Sequence, residues 1–154
     1  MPLQERLISE MKEAMRSGDK SKVSVIRMVR SSLKYKEIEK GKDSVLSEEE
    51  VIQVIVSSVR QRRDSIEEFK KGGRQDLVDK EEAEIRILQT FLPKQITNED
   101  LVKTIKETIE EVNAVGLRDM GQVMKILVPK IVGKADPASV SNIVKEILTK
   151  TVSG

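Results

Sequence analysis

The sequence predicts an all-α protein: an N-terminal part of four helices over residues 1–93, then a small three-helix domain over residues 94–154. Three observations predict it. Apolar residues recur with the 3.6-residue period of a helix, and the two-residue period of a strand is nearly absent. Helix start and stop signals bracket the periodic runs. The apolar content, 38% of 154 residues, is almost wholly aliphatic, with Tyr35, Phe69 and Phe91 the aromatics, so the cores must be built from Leu, Ile, Val and Met.

The first predicted helix carries Leu3, Leu7, Met11 and Met15 in one stripe and ends at Gly18. Asp19 caps a second, whose stripe is Val23, Ile26, Val29 and Leu33 and which ends near Gly41. Ser47 to Glu50, "SEEE", reads as a capping box: the Ser47 hydroxyl accepts from the Glu50 N–H, and the Glu50 side chain reaches back. The third helix then runs from about Glu48 to Lys71 with Ile52, Ile55, Val59 and Ile66 on one face. Lys70 and Lys71 suit its negative end, and Gly72-Gly73 terminate it. A fourth begins near Asp76 with an acidic first turn and is stopped by Pro93, which cannot continue the hydrogen-bond ladder.

Pro93 to Thr97 forms the joint between the two parts. Beyond it, Thr97 caps a fifth helix with Leu101, Ile105, Ile109 and Val112, closed by Gly116. A sixth spans about Asp119 to Val132, and Pro129 inside it predicts a kink or an early end. Asp136 as N-cap with Pro137 at the first helical position starts the last helix, which carries Val140, Ile143, Val144, Ile147 and Leu148.

Composition bounds the chemistry. There is no Cys and no His, which removes disulfides, thiolate nucleophiles, Cys/His zinc sites and imidazole bases. Charge is mixed, with 28 basic and 26 acidic residues, and each half sits near +1, so no basic arm or acidic tail stands out. The N-terminus is charged every few residues and no apolar run approaches membrane-spanning length. The expectation is a cytoplasmic protein without membrane contact.

Residues 76–84 hold Asp76, Asp79, Glu81, Glu82 and Glu84. At roughly 100° per residue, Glu81 and Glu84 fall within the apolar arc of Leu77, Ile85, Leu88, Phe91 and Leu92, whereas Asp79 and Glu82 fall outside it. Arg62 and Arg63 interrupt the stripe of the third helix, and Arg30 lies beside that of the second. Structural ion pairs between packed helices, Glu81 and Glu84 with Arg62, Arg63 or Arg30, are the expected outcome, because arginine binds carboxylate with a planar fork. A carboxylate pair for metal or catalysis, and a solvated face, are the alternatives. No nucleotide-binding or EF-hand pattern is present, and Ser31, Ser32 and Lys34 are a weak Ser-Lys set. No catalytic residue, metal or cofactor is expected.

Arg118, Lys125, Lys130 and Lys134 lie on and around the sixth helix, and the turns "GLRDMG" and "GKADP" place basic side chains near helix starts. These four are the candidate nucleic-acid contacts, against a solvated basic face. Scarce aromatics argue against a base-stacking platform.

"GGRQDLVDKEEAEIRILQTFLPKQIT" at residues 72–97 and "GLRDMGQVMKILVPKIVGKADPASVSNIVKEIL" at residues 116–148 resemble the GatB/YqeY family, in its free-standing YqeY-like form, over essentially the whole chain. The resemblance implies a helical N-terminal part and a C-terminal domain similar to the tail of the GatB subunit of tRNA-dependent amidotransferase. It further implies tRNA as partner, with residues from about Gln95 to Lys150 in contact, and an amidotransferase or aminoacyl-tRNA synthetase as a second partner. The family label of a carbon–nitrogen ligase with glutamine as amido donor is not carried over, because no Gly/Ser-rich amidase segment or ATP site is present. A non-catalytic tRNA-associated accessory protein is the leading expectation; a protein-docking helical module and an amidase acting within a complex are the alternatives.

Overall fold

The computed structural model describes residues 1–153, and the side chains of residues 1–150. Among the described residues it is all-α, with seven α-helices, one 3-10 turn and no strand. None of these helices is long and apolar enough to cross a membrane. The chain divides into two compact units, Met1–Leu92 and Pro93–Gly154.

The first unit contains α1 (Leu3–Ser17), α2 (Lys20–Lys40), α3 (Glu48–Lys71) and α4 (Gln75–Gln89). Local chemistry sets most of these limits. Gly18 takes the left-handed φ of 77° that ends α1. Asp19 accepts from the Lys22 N–H at the start of α2. The capping box forms at α3, with Ser47 and Glu50 bonding reciprocally. Gly73, with φ 69°, turns the chain from α3 into α4, and those two helices pack most extensively of all.

Two helix ends are instead closed by residues far away in sequence. The Leu3 N–H at the start of α1 donates to the Glu48 carboxylate, 2.9 Å away, from the first position of α3. The Arg6 guanidinium donates to the Thr90 carbonyl at the end of α4 (2.6 Å) and lies 4.8 Å from the Phe91 ring centroid. Both satisfy backbone groups that a helix cannot pair internally.

The core of this unit is aliphatic, built on Leu7, Val25, Ile26, Val29, Val51, Ile55, Val78 and Leu88 with Phe91 at one end. Each fully buried aliphatic side chain contributes roughly 1.5–3 kcal/mol. The expected α1 stripe needs one correction: Met15 is exposed and Ala14 takes the buried position. Steps of four residues drift about 40° each, so Leu3 to Met15 rotates about 120° off the face.

The second unit contains α5 (Asn98–Glu111), a 3-10 turn (Leu117–Asp119), α6 (Met120–Ile131) and α7 (Pro137–Ser153). Its core joins Leu101, Ile105 and Ile109 to Val123, Leu127 and Ile131 and to Val140, Val144 and Leu148. One expectation changes. α5 ends at Glu111 rather than Gly116, because Asn113 adopts the left-handed conformation (φ 55°) and Ala114 bonds back to the Ile109 carbonyl. α6 spans Met120–Ile131, close to the expected Asp119 to Val132, with Pro129 inside its last turn, where the proline cannot donate to the Lys125 carbonyl.

Glu50 makes a contact in the first unit that depends on its ionisation. The Lys40 ammonium bonds it at 2.6 Å and the Ser47 N–H at 3.1 Å, which together hold its carboxyl down at about 2. The folded value lies below the ordinary 4.5, so this contribution is complete above pH 4.5 and is lost as pH falls toward 2. Thermal melts across that interval should therefore show a smaller acid-induced loss for Glu50→Gln than for the wild type.

Candidate nucleic-acid interface

The acid-rich start of α4 separates into unrelated parts. Asp76 pairs with Arg74 at 3.0 Å, both exposed, and the contact holds the Asp76 carboxyl below its usual range. Asp79 accepts from the Gln75 side chain at 2.8 Å, and Glu82 is exposed. Glu81 and Glu84 turn toward α3, where Arg62 Nη1 bonds both, Glu81 at 3.1 Å. Arg62 is 12% exposed, and its Nη2 lies 3.6 Å from the Met28 sulfur of α2. The junction therefore links three helices.

Arg62 is the arginine brought to these carboxylates. Arg63 and Arg30, expected as possible partners, are exposed, and Arg30 Nη1 lies 3.8 Å from the Met11 sulfur. The physical reason is angular: Arg63 is about 100° around α3 from Arg62, so only one of the pair can face α4. No group of three or more Asp or Glu is gathered in metal-binding geometry among the described residues.

The four basic candidates of the second unit also separate. Arg118 is exposed on the 3-10 turn, whose shape is held by Asp119: its carboxylate accepts from the Val115 N–H at 2.9 Å. Lys125 is exposed on α6. Lys134 is exposed on the turn after α6, where Gly133 has φ 75°. That turn is pinned, because the Lys134 carbonyl accepts from the Ile96 N–H (2.9 Å) and the Gly133 carbonyl from Gln95 Nε2 (2.7 Å). Lys130 differs from these three. Its ammonium bonds Glu111 at 2.9 Å and the Thr108 hydroxyl at 3.2 Å, so it closes α6 against α5. An anion would have to displace Glu111 to reach it.

Gly121 is a feature that charge reasoning missed. It lies in the first turn of α6, on the exposed side and one turn before Lys125. A Cβ added there meets nothing within 4 Å. Neither positive φ nor packing requires glycine, although glycine in a helix costs about 1 kcal/mol relative to alanine. The visible signal was a glycine inside an amphipathic run.

The family model described as Yqey-like protein matches residues 4–148. Among curated relatives, the protein named Altered inheritance of mitochondria protein 41, mitochondrial, of Kluyveromyces lactis is 42% identical over 85 residues, covering 55% of this chain and 45% of that protein. Its namesake in Vanderwaltozyma polyspora is 37% identical over 86 residues, 56% of this chain and 46% of the relative. In both cases the match spans about half the length of the relative. The Pyrenophora tritici-repentis protein of the same name is 31% identical over 149 residues, 93% of this chain and 79% of the relative. The cytoplasmic expectation is corrected by these names, which are those of mitochondrial proteins. That expectation rested on a charged N-terminus and the lack of a long apolar run, and neither property separates one aqueous compartment from another.

The ion-pair junction has a measurable consequence. Glu84→Ala leaves Arg62 with Glu81 as its carboxylate partner at a nearly buried position, and should cost about 1–3 kcal/mol. Glu82→Ala, on the exposed face, should stay within about 0.5 kcal/mol of wild type. Denaturant or thermal unfolding of the two variants checks both values.

Proposed function

Because the chain belongs to the YqeY-like family, we propose that it is a non-catalytic, tRNA-binding accessory protein linked to aminoacyl-tRNA amidation or synthesis. Its second unit is the contacting surface, in keeping with the resemblance of this part to the tail of the GatB subunit. The relatives are named for mitochondria, and the reading takes the translation system of that setting as the one served.

One observation carries the reading: Arg118, Lys125 and Lys134 stand exposed around α6, while Lys130 next to them is tied to Glu111. The three are held on ordered backbone, Arg118 by the Asp119 turn and Lys134 by the bonds to Gln95 and Ile96. Rigid presentation lowers the ordering cost of binding. Gly121 leaves open space on the same side of α6, so a phosphate backbone can approach the helix start closely. With no aromatic residue in this unit, recognition rests on phosphates and shape.

A second reading draws on Val115 and Leu117, which are 54% and 46% exposed beside Arg118. An apolar edge at that loop favours docking on a protein such as an amidotransferase or an aminoacyl-tRNA synthetase.

Titration of total tRNA at several salt concentrations separates the two. On the RNA reading affinity falls steeply with salt, and Lys125→Glu with Lys134→Glu lowers the slope of log K against log salt by about 1–2. Lack of binding even at low salt removes the RNA reading and leaves the docking one. Gly121→Ala supplies an independent check: it should raise stability by about 0.4–1 kcal/mol and weaken tRNA binding. A gain in both, measured by melting and titration, would argue against close approach at that point.

A further inference from the structure

α2 is the most unevenly charged helix of the chain. It carries Lys20, Lys22, Arg27, Arg30, Lys34, Lys36 and Lys40 against Glu37 and Glu39, a net +5 where the whole chain carries +2. Lys22 and Lys40, near its two ends, have carboxylate partners: Lys22 bonds Glu10 at 3.0 Å and Lys40 bonds Glu50 at 2.6 Å. Arg27, Arg30 and Lys34, in the middle, are exposed and form no ion pair among the described residues.

These three fall within about 60° of one another on the helix, at 100° per residue, and span about 10 Å along it. They line an open groove of about 460 Å³ against α1, together with Gln4, Ser31 and, at the far end, Glu37. The Ser31 hydroxyl and the Gln4 amide add hydrogen-bond donors between the charges.

We propose that this groove binds the phosphodiester backbone of an RNA strand, as a second contact surface in the first unit. The proposal extends the tRNA reading given above. The polymer is favoured over an acidic protein segment by the row of cations itself: Arg27, Arg30 and Lys34 with interspersed donors match a chain of evenly repeated anions. The apolar part of the lining is the half-buried Ile8, with Leu7 and Leu33 beneath at 1% and 4% exposed.

The test uses the full chain with total tRNA, between about 50 and 200 mM salt. Arg27→Gln, Arg30→Gln and Lys34→Gln are combined in one variant and compared with wild type and with the Lys125→Glu, Lys134→Glu variant. Loss of three phosphate contacts should lower the salt slope by about 2–3 and weaken affinity at low salt. Unchanged slope and affinity overturn the proposal, even if the second-unit variant binds weakly. A silent second-unit variant beside a weakened groove variant keeps the groove and removes the second-unit reading. No tRNA binding by wild type removes both. Tighter binding of wild type to polyglutamate than to tRNA at matched salt, lost in the groove variant, assigns the groove to an acidic protein segment and overturns the RNA proposal. Should the triple variant melt early, Arg27→Gln with Lys34→Gln keeps the Arg30 contact with Met11 and gives the same readout.

Discussion

Arg62 is the residue on which the arrangement of the first unit turns. One guanidinium accounts for both carboxylates of α4 that face inward, and its other nitrogen reaches the Met28 sulfur on α2. The arrangement is a consequence of how narrow the aliphatic stripes are. α3 and α4 pack along their length, yet the apolar residues between Val59 and Ile66 are interrupted by charge. A charge at such a place must be matched, since the cost of an unpaired one approaches the value of burying several methylenes. Matching at one angle of α3 also fixes the rotation of α4 against it, so the junction contributes register as well as stability.

The same sorting of charges by partner governs the surface. A count of 28 basic and 26 acidic residues suggests an even coat, but the three-dimensional distribution is uneven. Glu10 shows the paired class: burial opposes its ionisation, but bonds from Lys22 and Arg6 outweigh that and hold its carboxyl below the usual range. Lys40 and Lys130 belong to the same class, because each closes one helix against another segment. Arg27, Arg30 and Lys34 on α2, and Arg118, Lys125 and Lys134 around α6, belong to the other. Cations left facing water retain their long-range field, and in a phosphate-rich setting that field has a ligand.

Legibility differed between ends and faces. Helix ends at Asp19, Ser47 and Thr97 follow from side chains bonding within three residues, and that at Gly18 from a left-handed glycine backbone, so they are legible locally. The end of α5 is not legible locally because Asn113 and Gly116 are both able to stop a helix, and the competition is decided by which backbone adopts positive φ. At the candidate interface, charge picked out Arg118, Lys125 and Lys134 along with Lys130, whose partner on α5 is 19 residues away. The α2 groove is not legible in the sequence because net charge averages over the chain, and α1 must be folded beside α2 before the groove exists.

What the sequence determined by itself is the helical class, the number of long apolar runs and the chemistry absent for want of Cys and His. These depend on period, local capping and composition, which are properties of neighbours along the chain. Tertiary structure alone decided that Glu48 caps α1, that Arg6 closes α4, that Arg62 rather than Arg63 or Arg30 takes Glu81 and Glu84, and which cations stay unpaired. Each of those outcomes is a choice among several chemically equivalent side chains. Distance and angle between packed helices make that choice, and neither quantity exists until the helices have met.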